Sequence, residues 1–92
     1  MYAVPVGKRY KRVTYSEHAK RELERRPYMD KALVERALRE GVHGVAENGA
    51  LTADVALPNK DTLALRVVYY EATVESAFVV TLYPVSKRRT NL

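Results

Sequence analysis

Arg66-Val67-Val68-Tyr69-Tyr70 and Phe78-Val79-Val80-Thr81-Leu82-Tyr83-Pro84 decide the fold of this chain. Both stretches are rich in Val, Tyr, Phe and Thr, which suit a pleated, half-buried surface. They predict two adjacent antiparallel strands. Residues 71–75 are short enough to join them as a hairpin, although they lack the Asn-Gly of a tight turn. Alternation along residues 62–70 puts Leu63, Leu65, Val67 and Tyr69 on one face and Ala64, Arg66, Val68 and Tyr70 on the other. The same rule over residues 76–83 sets Phe78, Val80 and Leu82 against Ala77, Val79, Thr81 and Tyr83. The bulkier apolar sets are expected to face the core. The second face then gathers Arg66, Tyr70, Thr81 and Tyr83. Arg66 is a cation inside a strand, so it must reach a partner or water. It is expected to point into an open cleft. Pairing with Asp54 or Glu47 away from solvent would make it structural instead.

Upstream, Leu51, Ala53, Val55 and Leu57 alternate with Thr52, Asp54 and Ala56, the pattern of a third strand. Pro58-Asn59-Lys60-Asp61 is a turn. Residues 42–47 predict a further strand, ended by Asn48-Gly49. Two helices come before. Ser16 is a good N-cap, and Glu17 suits the positive end of the helix dipole. That helix is expected over residues 17–26, stopping before Pro27, with Ala19 and Leu23 as its apolar stripe. Asp30 caps a second helix over residues 31–40. Its buried stripe is Leu33, Val34, Ala37 and Leu38, with Gly41 in the left-handed C-terminal position. Glu35 and Arg39 are spaced to pair along it. His43 reads as a loop residue. Residues 9–15 predict a short leading strand, and Pro5 and Gly7 interrupt residues 1–8. The order implies an α+β fold: two N-terminal helices packed on one face of a small, mainly antiparallel sheet. It forms a single domain over residues 1–92, with basic irregular ends at about 1–12 and 85–92.

Ninety-two residues with 47% apolar content suit one globular domain with a modest core. The absence of cysteine excludes disulfide and thiolate chemistry. No apolar run approaches the ~18 residues that span a bilayer. The first residues are too interrupted for a signal peptide, so a soluble, cytoplasmic protein is expected. The net charge is +5 and the pI about 9.6. The excess gathers in Lys8, Arg9, Lys11 and Arg12, and again in Lys87, Arg88 and Arg89. Such clusters are the electrostatic footprint of a nucleic-acid binder. A purely solubilising role is the alternative.

No metal site is expected, because two histidines twenty-five residues apart, without cysteine, make no ligand spacing. No glycine-rich phosphate loop or nucleophile elbow is present, and no cofactor is implied. His, Arg, Thr and Tyr beside a basic surface can still support RNA cleavage without a metal. The ribose 2′-OH attacks the adjacent phosphate, a base takes its proton, cations stabilise the added charge, and an acid protonates the leaving oxygen. His18 is the candidate base or acid, since an unperturbed imidazole titrates near neutrality. Arg66 is the candidate phosphate clamp, and Tyr83 can orient, protonate or stack. His18, Arg21 and Arg25 share one helix face, where the arginines are candidate RNA contacts or partners of Glu17, Glu22 and Glu24.

Ser16-Glu17-His18-Ala19, Arg25-Arg26, the helix from Leu33 to Gly41, Leu65-Arg66-Val67-Val68-Tyr69 and Val79-Val80-Thr81-Leu82-Tyr83-Pro84 together resemble a family of small bacterial domains. That family is related to the BrnT and RelE toxins of toxin–antitoxin pairs, within a ribonuclease fold group that includes barnase and colicin D. The resemblance runs from about Tyr15 to Pro84. It implies helices packed against a small antiparallel sheet and a cleft carrying His18, Arg66 and Thr81. The second arginine and the tyrosine typical of RelE have approximate counterparts in Arg25 and Tyr83. A metal-independent endoribonuclease is implied, with RNA as substrate (including mRNA on the ribosome) and a small antitoxin as partner. The rival readings are a non-catalytic RNA-binding module, using the basic ends Lys87, Arg88 and Arg89, and a protein-interaction domain.

Overall fold

The structure, a computed structural model, describes residues 9–90 and Leu92. The expected irregular stretch at residues 1–8, with Lys8 of the first basic cluster, lies outside the described residues. The elements are β1 (Arg12–Tyr15), α1 (Glu17–Arg25), α2 (Lys31–Glu40), β2 (Val42–Val45), β3 (Leu51–Ala56), β4 (Leu63–Thr73) and β5 (Ser76–Ser86). Short 3₁₀ turns occupy Glu47–Gly49 and Lys87–Arg89. The fold is α+β, with two helices and a mixed five-stranded sheet in the order β1-β5-β4-β3-β2. β2, β3, β4 and β5 pair antiparallel in succession, and β1 joins β5 in parallel. A parallel neighbour needs a long crossover. Here everything from α1 to β4 supplies it.

Local chemistry sets the boundaries. The Ser16 hydroxyl accepts from the Ala19 N–H at 3.0 Å, and Asp30 accepts from the Leu33 N–H at 2.8 Å, so each helix starts on its expected cap. Gly41 is extended, with φ −74° and ψ 173°, not left-handed. Glycine is needed there for space: a Cβ would stand 2.5 Å from the Ala37 carbonyl oxygen and 2.6 Å from that of Asp54. Asn48 (φ 65°) and Gly49 (φ 79°) do take left-handed conformations and turn the chain from β2 into β3. The expected Glu35–Arg39 pair is replaced by Arg36 and Arg39 on Glu40, at 3.5 and 3.1 Å.

The β4–β5 hairpin is longer and tighter than residues 71–75 suggest. Its strands run to Thr73 and from Ser76, leaving Val74-Glu75 as the connection. The Thr73 and Ser76 hydroxyls bond at 2.7 Å, and Thr73 Oγ1 accepts from the Glu75 N–H at 3.2 Å. These side chains close a turn that lacks Asn-Gly. The C-terminal end is also more regular than expected. β5 continues to Ser86, opposite Leu63, and the basic residues after it form the 3₁₀ turn. Pro84 is tolerated because β1 pairs only with Ser76 to Val79, so that side of β5 carries no described strand at Pro84.

The core joins both helices to one set of strand positions. Ala19, Met29, Val34, Ala37 and Leu38 lie in one cluster with Ala53, Leu65, Val67, Tyr69, Val79 and Leu82. Burying each large side chain there contributes about 1.5–3 kcal/mol. β4 follows the expected alternation, with Leu65, Val67 and Tyr69 fully buried. β5 does not. Val68 lies opposite Thr81 but Tyr69 opposite Val79, so Val80 is an extra residue. This bulge resets the alternation. Ala77 and Val79 face the core before it and Leu82 after it, while Phe78 is exposed. Phe78 and Val80 are therefore not the core residues that strict alternation makes them. The Ser16 hydroxyl donates to the carbonyl of Val80, and the Ser16 N–H to that of Val79 at 2.9 Å. The helix cap thus takes up a carbonyl that the bulge leaves out of the ladder. Among the described residues no helix is long and apolar enough to cross a membrane.

Gly41→Ala forces a methyl group against two backbone carbonyls. Urea unfolding should show the midpoint lowered by about 2 kcal/mol of stability with an unchanged slope. An unchanged midpoint would mean that the α2–β3 contact yields without cost.

Candidate nucleic-acid interface

The second face of the sheet carries the candidate site in cross-strand rows. Asp54, Arg66 and Tyr83 form one row; Gly44, Thr52, Val68 and Thr81 form the next; Tyr70 and Phe78 lie opposite each other beyond the bulge. Tyr70 is 42% exposed, and Phe78 and Tyr83 are each 38% exposed.

Arg66 donates from Nε to Asp54 Oδ1 at 2.9 Å and from Nη2 to Oδ2 at 3.0 Å, a two-pronged pair. Nη2 also reaches the Arg89 carbonyl oxygen at 3.3 Å. Hydrogen bonding to Asp54 raises the guanidinium pKa further above its already high value, outweighing the opposing effect of burial; Tyr83 adds a smaller effect. The pairing with Asp54 is present, but closure is not. The Asp54 side chain is 7% exposed and that of Arg66 25%. Arg66 opens onto a hollow of about 240 Å³, bounded by Gly44, Thr52, Val68, Tyr83, Arg89 and Thr90 among others. The Tyr83 hydroxyl also interacts with the guanidinium, which keeps a partly exposed edge toward the hollow.

The C-terminal basic turn is tied down beside this hollow. The Lys87 N–H donates to Thr62 O at 3.0 Å, Ser86 Oγ accepts from the Arg88 N–H at 3.3 Å, and the Thr90 hydroxyl donates to Lys87 O at 2.9 Å. Arg88 and Arg89 are exposed and Lys87 is half-buried.

The other sequence candidates are placed differently. Thr81 is half-buried on the same face, but does not line the hollow. His18 is exposed in the first turn of α1, and its side chain makes no hydrogen bond among the described residues. The Ser16–Val80 bond brings the start of α1 beside Thr81. Tyr83, the cross-strand neighbour of Arg66, is three residues past Val80, about 10 Å at the rise of a strand. Arg25 pairs with Glu22 at 3.1 Å, as the alternative reading of that helix face has it; Glu22 is buried and also holds Arg26 Nε at 3.1 Å. Arg21 is exposed, with no ion pair among the described residues. The structure thus brings together Arg66, Tyr83 and Arg89, sets Thr81 alongside, and leaves His18, Arg21 and Arg25 on α1.

His43 corrects a sequence expectation. It lies in β2 opposite the buried Ala53, not in a loop. Its Nε2 is 3.0 Å from the Leu38 carbonyl oxygen and its Nδ1 2.8 Å from the Tyr69 hydroxyl. A carbonyl only accepts, so Nε2 carries the proton and Nδ1 accepts from Tyr69. Burial lowers the imidazole pKa, against smaller opposing effects of the Leu38 carbonyl and Asp54. Burial likewise pushes the Tyr69 hydroxyl up to about 12. The only sequence signal was strand alternation, which needs the register with β3 to be informative. No group of three or more His, Cys, Asp or Glu among the described residues is placed to hold a metal ion.

The fold and this face define an α+β protein with an open sheet surface carrying aromatic side chains and cations. Comparison with known protein families, with curated proteins and with solved structures finds no match for this chain.

The lowered pKa of His43 fixes a sign. The unfolded imidazole, near 6.5, binds a proton in a range where the folded one does not. Its contribution to stability is full above about pH 6.5 and falls away as the pH drops toward the depressed folded value. Urea unfolding across that range should show this loss for the wild type and a smaller one for His43→Gln. Parallel pH profiles would show that protonation of His43 is not coupled to folding.

Proposed function

We propose that this protein is an RNA-binding domain of the RelE/BrnT-like kind, which takes RNA on the open face of its sheet. One observation carries the proposal: Arg66, Tyr83 and Arg89 stand together on that face, with exposed Tyr70 and Phe78 farther along it, beyond the Val68–Thr81 row. Cations supply phosphate attraction, and exposed aromatic rings stack on bases. The two helices share a core with one side of the sheet, and Arg66, Thr81 and Tyr83 lie on the other, while His18, which the resemblance also assigns to the cleft, lies on α1. On that reading the protein is cytoplasmic, its partner is RNA, and a small antitoxin is a second partner.

Metal-independent cleavage is the second reading, favoured by the Ser16–Val80 bond that brings the first turn of α1 beside Thr81. The exposed edge of Arg66 would hold the scissile phosphate, and Thr81 and Tyr83 would offer hydroxyls to it. His18 would take the 2′-OH proton or protonate the leaving oxygen.

Changing Lys87, Arg88 and Arg89 together to Ala should weaken RNA binding. It should also flatten the plot of log affinity against log salt by about 2, at ~0.7 per phosphate contact on a single strand. An unchanged slope would leave this turn a solubilising one. Cleavage is tested separately, by incubating the protein with total RNA in EDTA and mapping the ends. His18→Gln should then lower the cleavage rate by about 10²-fold while binding holds. Equal rates for wild type and variant would remove His18 from the chemistry.

A further inference from the structure

We infer that the hollow beside Arg66 receives one unstacked base of the bound RNA strand, with the phosphate of that nucleotide on Arg66. This rests on the RNA-binding reading and adds which part of the strand enters. Gly44 is the first reason. It lies inside β2, where glycine weakens a strand and often marks the close approach of a ligand. Its φ is not positive, so backbone conformation does not demand glycine. A Cβ there would stand 3.1 Å from Thr52 Oγ1. Glycine therefore keeps the space over the Thr52 hydroxyl open.

The second reason is the shape and chemistry of the hollow. Its middle row, Gly44, Thr52 and Val68, is small, and the next row carries the larger Arg66 and Tyr83. A volume of about 240 Å³ lies below the ~300 Å³ at which drug-sized ligand pockets begin, so it suits a single ring system. Val68 and the Tyr83 ring offer apolar and aromatic surface. The Thr52 hydroxyl, without a hydrogen-bond partner among the described residues, offers a donor and an acceptor. Flat apolar faces with a polar edge are what an unstacked base presents, whereas a phosphate alone would need only cations. Arg66 and Val68 are two residues apart on β4, about 7 Å, a span that a phosphate and its base bridge. A duplex keeps its bases stacked inside and cannot make this contact.

Fluorescence anisotropy with two probes tests the assignment: a short single-stranded RNA, and a ribose-phosphate strand of the same length without bases. Gly44→Val fills the hollow without touching a charge. It should weaken binding of the RNA about tenfold and leave the base-free strand unchanged. Thr52→Val, similar in shape to the wild type, should act in the same direction more weakly, and it decides the matter alone if Gly44→Val does not fold by circular dichroism. If both variants bind RNA like the wild type, or lose both probes equally, the base assignment is overturned while RNA binding stands. A wild-type protein that binds neither probe overturns both.

Discussion

A nearly inaccessible carboxylate on β3 makes the open face possible. Asp54 cannot stand alone at 7% exposure, and its register neighbour Arg66 meets it with two hydrogen bonds. Removing Arg66 would strand the buried Asp54 carboxylate, at about 3 kcal/mol or more. The pair therefore holds the β3–β4 register on the outer face while the apolar positions hold it on the inner one. Through the Arg89 carbonyl it also docks the C-terminal turn. Charge and direction are thereby divided. Asp54 offsets the Arg66 charge, so net attraction for phosphate comes from Lys87, Arg88 and Arg89. Arg66 contributes the exposed edge of an oriented guanidinium.

The bulge at Val80 is the second determinant. One extra residue places Phe78 opposite Tyr70 on the open face and Val79 in the core. A bulged carbonyl needs a donor, and the Ser16 hydroxyl supplies it while accepting from Ala19. The same oxygen thus starts α1 and fastens it to β5. Where α1 begins relative to Thr81 is a consequence of that double use.

Inside, polar groups form a satisfied network. His43 joins the Leu38 carbonyl at the end of α2 to the Tyr69 hydroxyl on β4. Tyr10 packs edge-on against Tyr69 at 6.2 Å, and its hydroxyl donates to Glu71 at 2.7 Å. No buried side-chain polar atom among the described residues lacks a hydrogen bond. Such networks favour one arrangement of α2, β2 and β4 over near alternatives.

The sequence by itself determined the elements whose signals are local. Ser16 and Asp30 cap their helices because their own oxygens reach the third N–H onward, and Asn48-Gly49 turns the chain because both residues accept positive φ. Alternation in β4 was legible for the same reason, and with it the outward placement of Arg66, Val68 and Tyr70. Tertiary structure decided whatever depended on a neighbour distant in the chain. Only pairing with β4 reveals the bulge that exposes Phe78, and only the approach of β3 to the end of α2 explains Gly41. His43 became a half-buried strand residue bonded to Tyr69 through its register with Ala53, and Arg66 acquired Asp54 through the same sheet. Periodicity fixes a face one strand at a time; register, which turns faces into sites, is set by the packing of all the strands together.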